Sequence, residues 1–357
     1  MAKFLTLALL VLFCPIEAYA GGKTISDAFG REVEIPSEVR RVVALGSSMA
    51  FITYLEGQDL VVGVEDIDKT DAAKPYVMLN RERFNNLPVV GKAGAVRIPN
   101  YEQIVNLKPD VVFILSVDGS EPDLLQRKLR IPVVAVSQGF PAFDQDVFIN
   151  SIRLTGEVLH RQERAETLVR GIAALSGQLN YSPAPGEQAI AYVGGLSYKG
   201  NQGINSTAGN FFPLRLARIA NLADSTGREG HQFVSKEFLI ASNPPLIFID
   251  GNGLSLIREG IRDDHEYFER LKALKNGNAW LLLPHTSYFN NPEILYINAF
   301  FMAKAAYPEH YAEMDPEAWA DKIFILFNGS PMYKQFTEKT GAFGRMLLSE
   351  GNLEYAK

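Results

Sequence analysis

The residues of this chain whose types suit ligand binding lie in loops that follow predicted strands. Gly46-Ser47-Ser48 follows the β-branched run Arg41–Leu45 and precedes a predicted helix. Backbone N–H groups and hydroxyls at a helix start can bind anionic oxygens, or Ser47 and Ser48 simply cap the helix. Lys92 and Arg97 lie in a glycine-containing loop, where an arginine can pair with carboxylate or catecholate oxygens. The alternative for both residues is a solvated surface cation.

The second half of the sequence carries a comparable set of polar and aromatic residues near strand ends. These candidate ligand contacts are Tyr192, Tyr198, Asn205, Arg228, His285, Tyr288 and Asn290. A tyrosine or histidine of this set would suit haem iron as an axial ligand. Gly194-Gly195, together with Gly46-Ser47-Ser48, would instead offer N–H groups to an oxyanion such as molybdate or tungstate. For each residue the alternative is a structural role in a turn, a helix cap or the core.

The sequence contains no recognisable catalytic motif. G-x-S-x-G, H-E-x-x-H, G-x-x-x-x-G-K-[ST] and a G-x-G-x-x-G that opens a βα unit are all absent. The 5 histidines are dispersed, and the single cysteine is Cys14. Without a further thiol, the rest of the chain has no disulfide, cysteine nucleophile or thiolate metal site. A secreted α/β enzyme with a site built from dispersed residues is the alternative of a different class.

The N-terminal residues 1–20 have the pattern of a cleaved secretion signal. Lys3 precedes the apolar stretch Phe4–Phe13, and Ala18-Tyr19-Ala20 is a small-x-small cleavage site. The apolar stretch is too short to span a bilayer. We therefore predict a periplasmic protein. Lipid attachment at Cys14 is the alternative, which the bulky Phe13 before it disfavours.

Composition and charge limit the class of partner. The 357 residues are 47% hydrophobic and 21% charged, with a net charge of −6. This composition is that of a soluble globular protein, and the length suffices for two α/β lobes. The sequence has no basic tract, so a nucleic-acid partner is not expected.

Two segments share one pattern and predict two lobes of the same architecture. In Tyr101–Ile114 and in Lys236–Ile249, a glutamate begins a short helical stretch and a proline lies seven residues after it, before a β-branched run. The glutamates are Glu102 and Glu237. Each segment is predicted as helix, turn and buried parallel strand.

The stretch between these segments, Phe143–Tyr181, lacks proline and has the apolar spacing of amphipathic helices. It predicts two consecutive helices with a break near His160. The predicted organisation is a signal peptide at 1–20, an N-terminal α/β lobe at 21–142, linker helices at 143–181 and a C-terminal α/β lobe at 182–357. The strand Trp280–Leu283 leads into the loop Pro284–Pro292, and the rest of the chain is predicted to be helical, over Pro292–Ala306, Glu317–Asn328 and Met332–Phe336.

The order of these segments resembles the periplasmic binding proteins for iron complexes, which serve ABC importers of siderophores, haem and cobalamin. The resemblance rests on Asp27, Gly30-Arg31, Val33, Ile35-Pro36, Arg41–Leu45, Leu60–Val64, Leu87–Gly91 and the segments around Glu102 and Glu237. It implies two Rossmann-like lobes joined by a single long linker helix, with a ligand cleft between the lobes. It also implies that Glu102 and Glu237 meet arginines of the membrane permease. The alternative is that an acidic residue merely suits the first turn of a helix.

The same resemblance implies binding rather than catalysis. The expected protein is an extracytoplasmic, monomeric substrate-binding protein. It captures a metal chelate, foremost a ferric siderophore, and delivers it to the permease and ATPase of an ABC importer. Haem, cobalamin, and molybdate or tungstate are the alternative ligands. No resident cofactor is expected, and whether a side chain contacts the metal is left open.

Overall fold

The computed structural model describes residues 22–71, 73–94 and 97–356. The predicted signal peptide and Cys14 lie outside these residues. In the described ranges, no helix is both long and apolar enough to cross a bilayer.

The N-terminal lobe begins with a hairpin and continues into an α/β sheet. The strands are β1 (Lys23–Ser26), β2 (Glu32–Ile35), β3 (Val42–Leu45), β4 (Val61–Glu65), β5 (Val89–Lys92), β6 (Ile98–Pro99), β7 (Val111–Leu115) and β8 (Val133–Val136). The helices are α1 (Met49–Tyr54), α2 (Ile67–Thr70), α3 (Pro75–Asn85), α4 (Tyr101–Asn106) and α5 (Ser120–Leu129). The six-stranded sheet has the order β6-β5-β4-β3-β7-β8, and only β5 and β6 pair antiparallel. The central strands β3 and β7 are buried at every position, as expected for parallel strands covered on both faces.

Two helices separate the two sheets along the chain, α6 (Gln145–Val158) and α7 (Gln162–Gln178). The break between them falls at His160, whose φ is 54°, so the predicted pair of helices is confirmed. The 17 residues of α7 span about 26 Å at 1.5 Å per residue. The two helices pack closely, since a Cβ on Gly156 would lie 2.7 Å from the Cβ of Ala165.

The C-terminal lobe is a second α/β sheet with more irregular additions. Its strands are β9 (Ile190–Gly194), β10 (Ser206–Gly209), β11 (Ala220–Asn221), β12 (Gly230–Phe233), β13 (Leu246–Asp250), β14 (Ala279–Leu282), β15 (Thr286–Ser287), β16 (Phe289–Asn290), β17 (Gly344–Ser349) and β18 (Asn352–Tyr355). Its helices are α8 (Phe212–Leu216), α9 (Lys236–Ser242), α10 (Leu254–Asp263), α11 (His265–Glu269), α12 (Lys272–Lys275), α13 (Pro292–Ala306), α14 (Pro316–Asn328) and α15 (Tyr333–Thr340). The six-stranded sheet has the order β11-β9-β13-β14-β17-β18.

One prediction for this lobe is wrong. Beyond the loop that follows β14 the sequence predicts only helices, yet the chain ends in the hairpin β17–β18, which joins the sheet antiparallel to β14. This hairpin buries Met346 and Leu353 in a hydrophobic cluster of the C-terminal lobe. The two-lobed α/β architecture itself is confirmed. A continuous hydrophobic cluster runs from the N-terminal lobe through α6 and α7 to α13 and α14.

Candidate functional site

A cleft of about 960 Å³ lies between the two lobes. Its walls come from the loops that follow the parallel strands, where ligands bind in open α/β sheets. The N-terminal lobe contributes residues around Arg97 and Ser116, and the C-terminal lobe contributes Leu196–Asn201 and His285–Asn290. The segment Gln138–Phe143 lines the cleft between them.

Five of the candidate ligand contacts lie in this cleft wall: Arg97, Tyr198, His285, Tyr288 and Asn290. They come from both lobes and from loops far apart in sequence. The structure therefore brings them together, while their contact with a ligand stays a prediction.

The guanidinium group of Arg97 is fixed by polar contacts with three residues of the N-terminal lobe. Its Nη1 donates to Glu121 Oε1 at 2.6 Å, and its Nη2 donates to the Leu115 carbonyl at 3.2 Å. The Oε1 atom of Glu65 lies 3.8 Å from its Nε. The guanidinium packs over the turn at Gly46, which has φ 64°, and a Cβ there would lie 2.1 Å from Nη2. Glycine at this position thus leaves room for the arginine.

Tyr288 lies at the tip of the hairpin β15–β16, and Arg97 donates to its hydroxyl from Nε at 2.9 Å. Its φ of 70° is rare for a bulky residue and costs on the order of 1–3 kcal/mol. Burial raises the pKa of the Tyr288 hydroxyl, and the neighbouring Arg97 opposes this shift. The tip residue is therefore held in an unfavourable backbone conformation that carries its ring to the opposite lobe.

Other hydrogen bonds join this hairpin and the residue after it to the N-terminal lobe and to the segment Gln138–Phe143. Ser287 donates to Asp71, and Asn291 Nδ2 donates to the Ala73 carbonyl at 2.9 Å. Gln138 Nε2 donates to the Asn290 carbonyl at 3.1 Å. Together with the bond to Arg97, these contacts close one side of the cleft.

A cluster of buried charges lies behind Arg97. Lys74 Nζ donates to Ser47 Oγ at 3.1 Å and to the Tyr76 hydroxyl at 3.0 Å, and the hydroxyl in turn donates to Asp68 Oδ1 at 2.9 Å. Burial raises the pKa of Asp68. Burial and the charge of Asp68 raise the pKa of Glu65 to about 7. Sequence reasoning missed this cluster as a functional unit because isolated charges in polar stretches carry no pattern.

The turn at Ser47 and Ser48 does not face the cleft. The Gly46 N–H donates to Glu65 Oε2 at 2.6 Å, so a carboxylate of the protein already occupies the expected anion-binding group. Ser48 Oγ accepts from the Leu45 N–H at 3.1 Å and makes no cap bond to α1. Both serines are buried. The polar groups of this turn are therefore used internally, and contact of Ser47 or Ser48 with a ligand stays a prediction.

Four further candidates also lie outside the cleft wall. Tyr192 belongs to the core of the C-terminal lobe, where its hydroxyl donates to the Ile204 carbonyl at 2.7 Å. Asn205 Nδ2 donates to the Val234 carbonyl at 2.9 Å and joins the two strands at one end of the β10–β12 pair. Lys92 and Arg228 are exposed on the surface.

His285 is fixed by a buried carboxylate at the end of the neighbouring strand. Its Nδ1 lies 2.7 Å from Asp250 Oδ2, and both side chains are almost fully buried. Asp250 Oδ1 accepts from the Asn252 N–H at 2.9 Å. β13 and β14 are parallel neighbours, so Asp250 and the loop that carries His285 meet at the same edge of the sheet.

His231 is a cleft residue that was not among the predicted contacts. Its ring stacks on Tyr198 at 4.1 Å between centroids, with an interplanar angle of 6°. Its Nε2 lies 2.8 Å from Ser206 Oγ, and that hydroxyl donates to the Leu196 carbonyl. Partial burial lowers the pKa of His231. His231 is a single dispersed histidine and forms no sequence motif. The β10–β12 pairing that brings it to the cleft is not visible in the local sequence either.

Glu102 and Glu237 occupy matching positions in the two lobes. Each is exposed in the first turn of its helix, α4 or α9. The caps match as well, since Asn100 accepts from the Gln103 N–H and Ser235 accepts from the Phe238 N–H. Each helix leads into the amino end of a parallel strand and so begins toward the cleft edge of its lobe.

The described residues contain no group of three or more histidine, cysteine, aspartate or glutamate side chains arranged to hold a metal ion.

The chain is similar to known proteins over most of its length. The sequence profile of the family described as periplasmic binding protein matches residues 42–284. The molybdate-binding protein MolA of Haemophilus influenzae is 26% identical over 347 residues, which cover 91% of this chain and 96% of MolA. The ferric-anguibactin-binding protein FatB of Vibrio anguillarum is 25% identical over 214 residues, or 58% of this chain and 66% of FatB.

Solved structures share the fold. MolA bound to molybdate has a TM-score of 0.68 at 22% identity, with 87% of this chain and 98% of that chain covered. CeuE of Helicobacter pylori with Ni(II) bound has a TM-score of 0.62 at 20% identity, with 86% and 96% covered. At these identities the likeness establishes the two-lobed architecture alone.

Proposed function

The chain belongs to the periplasmic binding protein family, the substrate-binding proteins of ABC transporters, and we propose that its ligand is a metal chelate, foremost a ferric siderophore. The observation that carries this proposal is the size and lining of the cleft between the lobes. At about 960 Å³ it lies at the upper end of the range of about 300–1,000 Å³ for small-molecule sites. A single tetrahedral oxyanion would leave most of this volume to water.

The lining also suits an organic chelate with anionic oxygens. Aromatic side chains form much of the wall, among them Phe140, Tyr198, Phe211, Tyr288 and Phe289. Arginine forks match carboxylate and catecholate oxygens in geometry and charge. The side chain of Glu121, which holds Arg97 Nη1, is 44% exposed, so a ligand oxygen can replace it at low cost.

A molybdate or tungstate ligand is the second candidate. It is supported by the similarity to a molybdate-binding protein over 91% of this chain. Arg97 and Asn290 would then be donors in the cleft wall. The internal use of the Gly46 N–H by Glu65 weighs against this candidate, because this part of the expected oxyanion nest is already occupied.

A binding panel on the protein without residues 1–20, unfolded and refolded to remove bound ligand, tests the proposal. The panel contains ferric trihydroxamate and triscatecholate complexes, haemin, cobalamin, molybdate and tungstate. A ligand at 100 times its Kd raises the free energy of unfolding by about 2.7 kcal/mol. We expect this stabilisation with a ferric chelate. Stabilisation by molybdate or tungstate alone would replace the first candidate by the second.

Matched arginine variants locate the binding site. Arg97→Gln is expected to weaken chelate binding at least tenfold, because it removes a cation from the cleft wall. Arg228→Gln removes an exposed arginine outside the cleft wall and should leave the affinity unchanged. Equal affinities for both variants would contradict binding in this cleft.

We further propose that Glu102 and Glu237 dock the protein on the permease. The proposal is supported by their exposure, their matched first-turn positions and their location toward the cleft edge. Exposed charge pairs at such an interface mainly accelerate association and set its orientation.

A further inference from the structure

We propose that Glu65 makes ligand binding in the cleft depend on pH: when an anionic ligand binds at Arg97, Glu65 takes up a proton, and the affinity therefore rises as the pH falls. Glu65 is a positioning residue, because its side chain is buried and acts on the ligand through Arg97. The inference rests on the proposed function, since it requires a ligand whose anionic oxygen pairs with Arg97. It adds regulation by protons to that site.

Glu65 is the last residue of β4, and its two carboxyl oxygens have different surroundings. Oε2 accepts from the Gly46 N–H at 2.6 Å. Oε1 lies 3.8 Å from Arg97 Nε, and it is fully buried without a hydrogen-bond partner across residues 22–71, 73–94 and 97–356. A buried charge that lacks hydrogen bonds is poorly compensated for the hydration it has lost. This geometry favours the protonated, uncharged form of Glu65.

Four ionisable side chains behind the cleft wall form one cluster, each at most 6% exposed: Glu65, Asp68, Lys74 and Arg97. Asp68 accepts from the Tyr76 hydroxyl and from the Glu65 backbone N–H. Lys74 Nζ lies 3.7 Å from Asp68 Oδ1. Asp68 is therefore the better stabilised carboxylate, and a proton that enters the cluster goes to Glu65. The charges of the four groups cancel when both carboxylates are ionised, and one positive charge remains when Glu65 is protonated.

Two phenols and one further carboxylate lie next to this cluster. The phenols are Tyr76 of α3 and Tyr288 of the hairpin β15–β16. Burial raises the pKa of both hydroxyls, which therefore stay uncharged near neutral pH. Glu121 of α5 bonds to Arg97, but its side chain is 44% exposed, so solvent screens its charge. Of these carboxyl groups, Glu65 is the buried one whose charge a ligand at Arg97 can change.

The cluster couples ligand binding to the protonation of Glu65. Burial and the charge of Asp68 raise the pKa of Glu65 to about 7, against the opposing charges of Arg97 and Lys74. A ligand anion at Arg97 brings further negative charge toward Glu65 and raises this pKa again. Between the two pKa values the free protein has lost the proton and the complex holds it, so a lower pH favours the complex. One pKa unit of difference corresponds to a change in affinity of about tenfold.

Three probes test this coupling in the refolded protein: the anionic ferric complex of a hexadentate triscatecholate, the uncharged ferric complex of a hexadentate trihydroxamate, and molybdate. The Kd is measured on either side of the pKa of about 7, at pH 6 and pH 8.5. We expect the wild type to bind an anionic probe about tenfold more tightly at pH 6. Calorimetry at pH 7.5, in buffers of different ionisation enthalpy, should show uptake of about half a proton. The Kd of the uncharged complex should change by less than about twofold, since it brings no charge to Arg97.

Glu65→Gln fixes the uncharged form of this side chain. It should bind the anionic probe at pH 6 as the wild type does, keep that affinity at pH 8.5 and take up no proton. Glu187→Gln, at an exposed glutamate, should retain the pH dependence of the wild type. Histidines also change charge near neutral pH, and His231 and His285 line the cleft. Proton uptake that persists in Glu65→Gln would come from such groups and would overturn the inference.

Asp68→Asn provides a second variant with a different signature. It keeps Glu65 and removes the negative charge that helps to raise its pKa. The pH of greatest proton uptake should therefore fall below that of the wild type, whereas a merely structural role of Glu65 would leave it in place. The wild-type comparison of charged and uncharged probes needs no variant at all.

The outcomes separate this inference from the proposed function. If the wild type binds the anionic chelate with equal affinity at both pH values, the inference fails while the proposed function stands. Binding of the uncharged complex alone has the same consequence, because no ligand anion then pairs with Arg97. If only molybdate binds, the second candidate replaces the chelate, and the pH dependence measured with molybdate decides the inference. If none of the three probes binds, the proposed function and the inference both fail.

Discussion

Arg97 of the N-terminal lobe donates a hydrogen bond from Nε to the hydroxyl of Tyr288 of the C-terminal lobe at 2.9 Å. The Tyr288 ring also lies within 6 Å of two cations, at 5.8 Å from Arg97 Cζ and 5.9 Å from Lys74 Nζ. Behind these cations are the buried carboxylates Glu65 and Asp68. Arg97 of the cleft wall is therefore linked both to the opposite lobe and to a charged network.

Removal of the Tyr288 hydroxyl tests the strength of this link. Tyr288→Phe keeps the ring over the two cations and leaves Arg97 Nε without its partner across the cleft. A hydrogen bond to a charged group contributes about 1.5–3 kcal/mol. We expect the free energy of unfolding in urea to fall by about 1–3 kcal/mol.

Tyr198→Phe is the matched control, because the Tyr198 hydroxyl has no hydrogen-bond partner in the part of the chain that the structure describes. Its ring and its stacking on His231 are retained. The free energy of unfolding should change by less than about 0.5 kcal/mol, as for most surface substitutions. Equal effects of the two variants would contradict a stabilising bond between Arg97 and Tyr288.

Glu65 makes the stability depend on pH. Burial and Asp68 raise its pKa from 4.5 to about 7, while Arg97 and Lys74 oppose the shift. Between these two values the folded protein keeps the proton and the unfolded chain has lost it, so stability falls as the pH rises. One pKa unit corresponds to about 1.4 kcal/mol, and the loss from this group is thus on the order of 3 kcal/mol.

Glu65→Gln should remove this contribution. The amide oxygen can still accept from the Gly46 N–H, and no charge is left to bury. Urea unfolding at pH 5 and pH 8 should therefore show a smaller loss of stability than in the wild type. Glu102→Gln, at an exposed glutamate, should retain the wild-type loss. If Glu65→Gln loses as much stability as the wild type, Glu65 does not titrate in this range.

Much of the fold could be predicted because its signals are local. Buried parallel strands are continuous apolar runs such as Val111–Leu115, and the break at His160 interrupts a clear helical period. The hairpin Gly344–Tyr355 was missed. Its short, mixed sequence becomes a strand pair only because β14 offers an edge to pair with.

The site was harder to predict, because position at a strand end does not determine where a side chain points. Tyr192 lies within β9 and points into the core, whereas Tyr198 lies beyond the strand end and reaches the cleft. Ser47 and Ser48 also follow a strand end, yet the Gly46 N–H of the same turn donates to the distant carboxyl group of Glu65. Such contacts join residues that are far apart in the sequence, so no local sequence pattern predicts them.

Tyr54 and Glu293 form a buried pair between the two lobes. The Tyr54 hydroxyl donates to one carboxylate oxygen, and Asn328 Nδ2 donates to the other at 3.3 Å. Burial raises the pKa of Glu293. Tyr54→Phe leaves a buried oxygen without its donor, which costs about 1–3 kcal/mol. We expect this loss in the free energy of unfolding measured in urea.

The double variant Tyr54→Phe/Glu293→Met removes both polar partners and fills a similar volume. Replacing both partners of a buried bond by apolar groups is often nearly neutral, so this variant should be more stable than Tyr54→Phe alone. A double variant that is less stable than the single one would mean that the pair contributes through packing rather than through its hydrogen bond.

Glu102 and Glu237 provide a test of permease docking that is independent of ligand binding. Glu102→Arg and Glu237→Arg reverse an exposed charge at matched first turns of α4 and α9. Association with the permease in vesicles should slow at least tenfold at low salt, because like charges now face each other, and the ligand Kd should not change. Glu187→Arg is the control, since Glu187 is exposed before the amino end of β9, at the edge opposite the cleft. Equal slowing by all three variants would indicate a general effect of net charge and would rule out docking through these two glutamates.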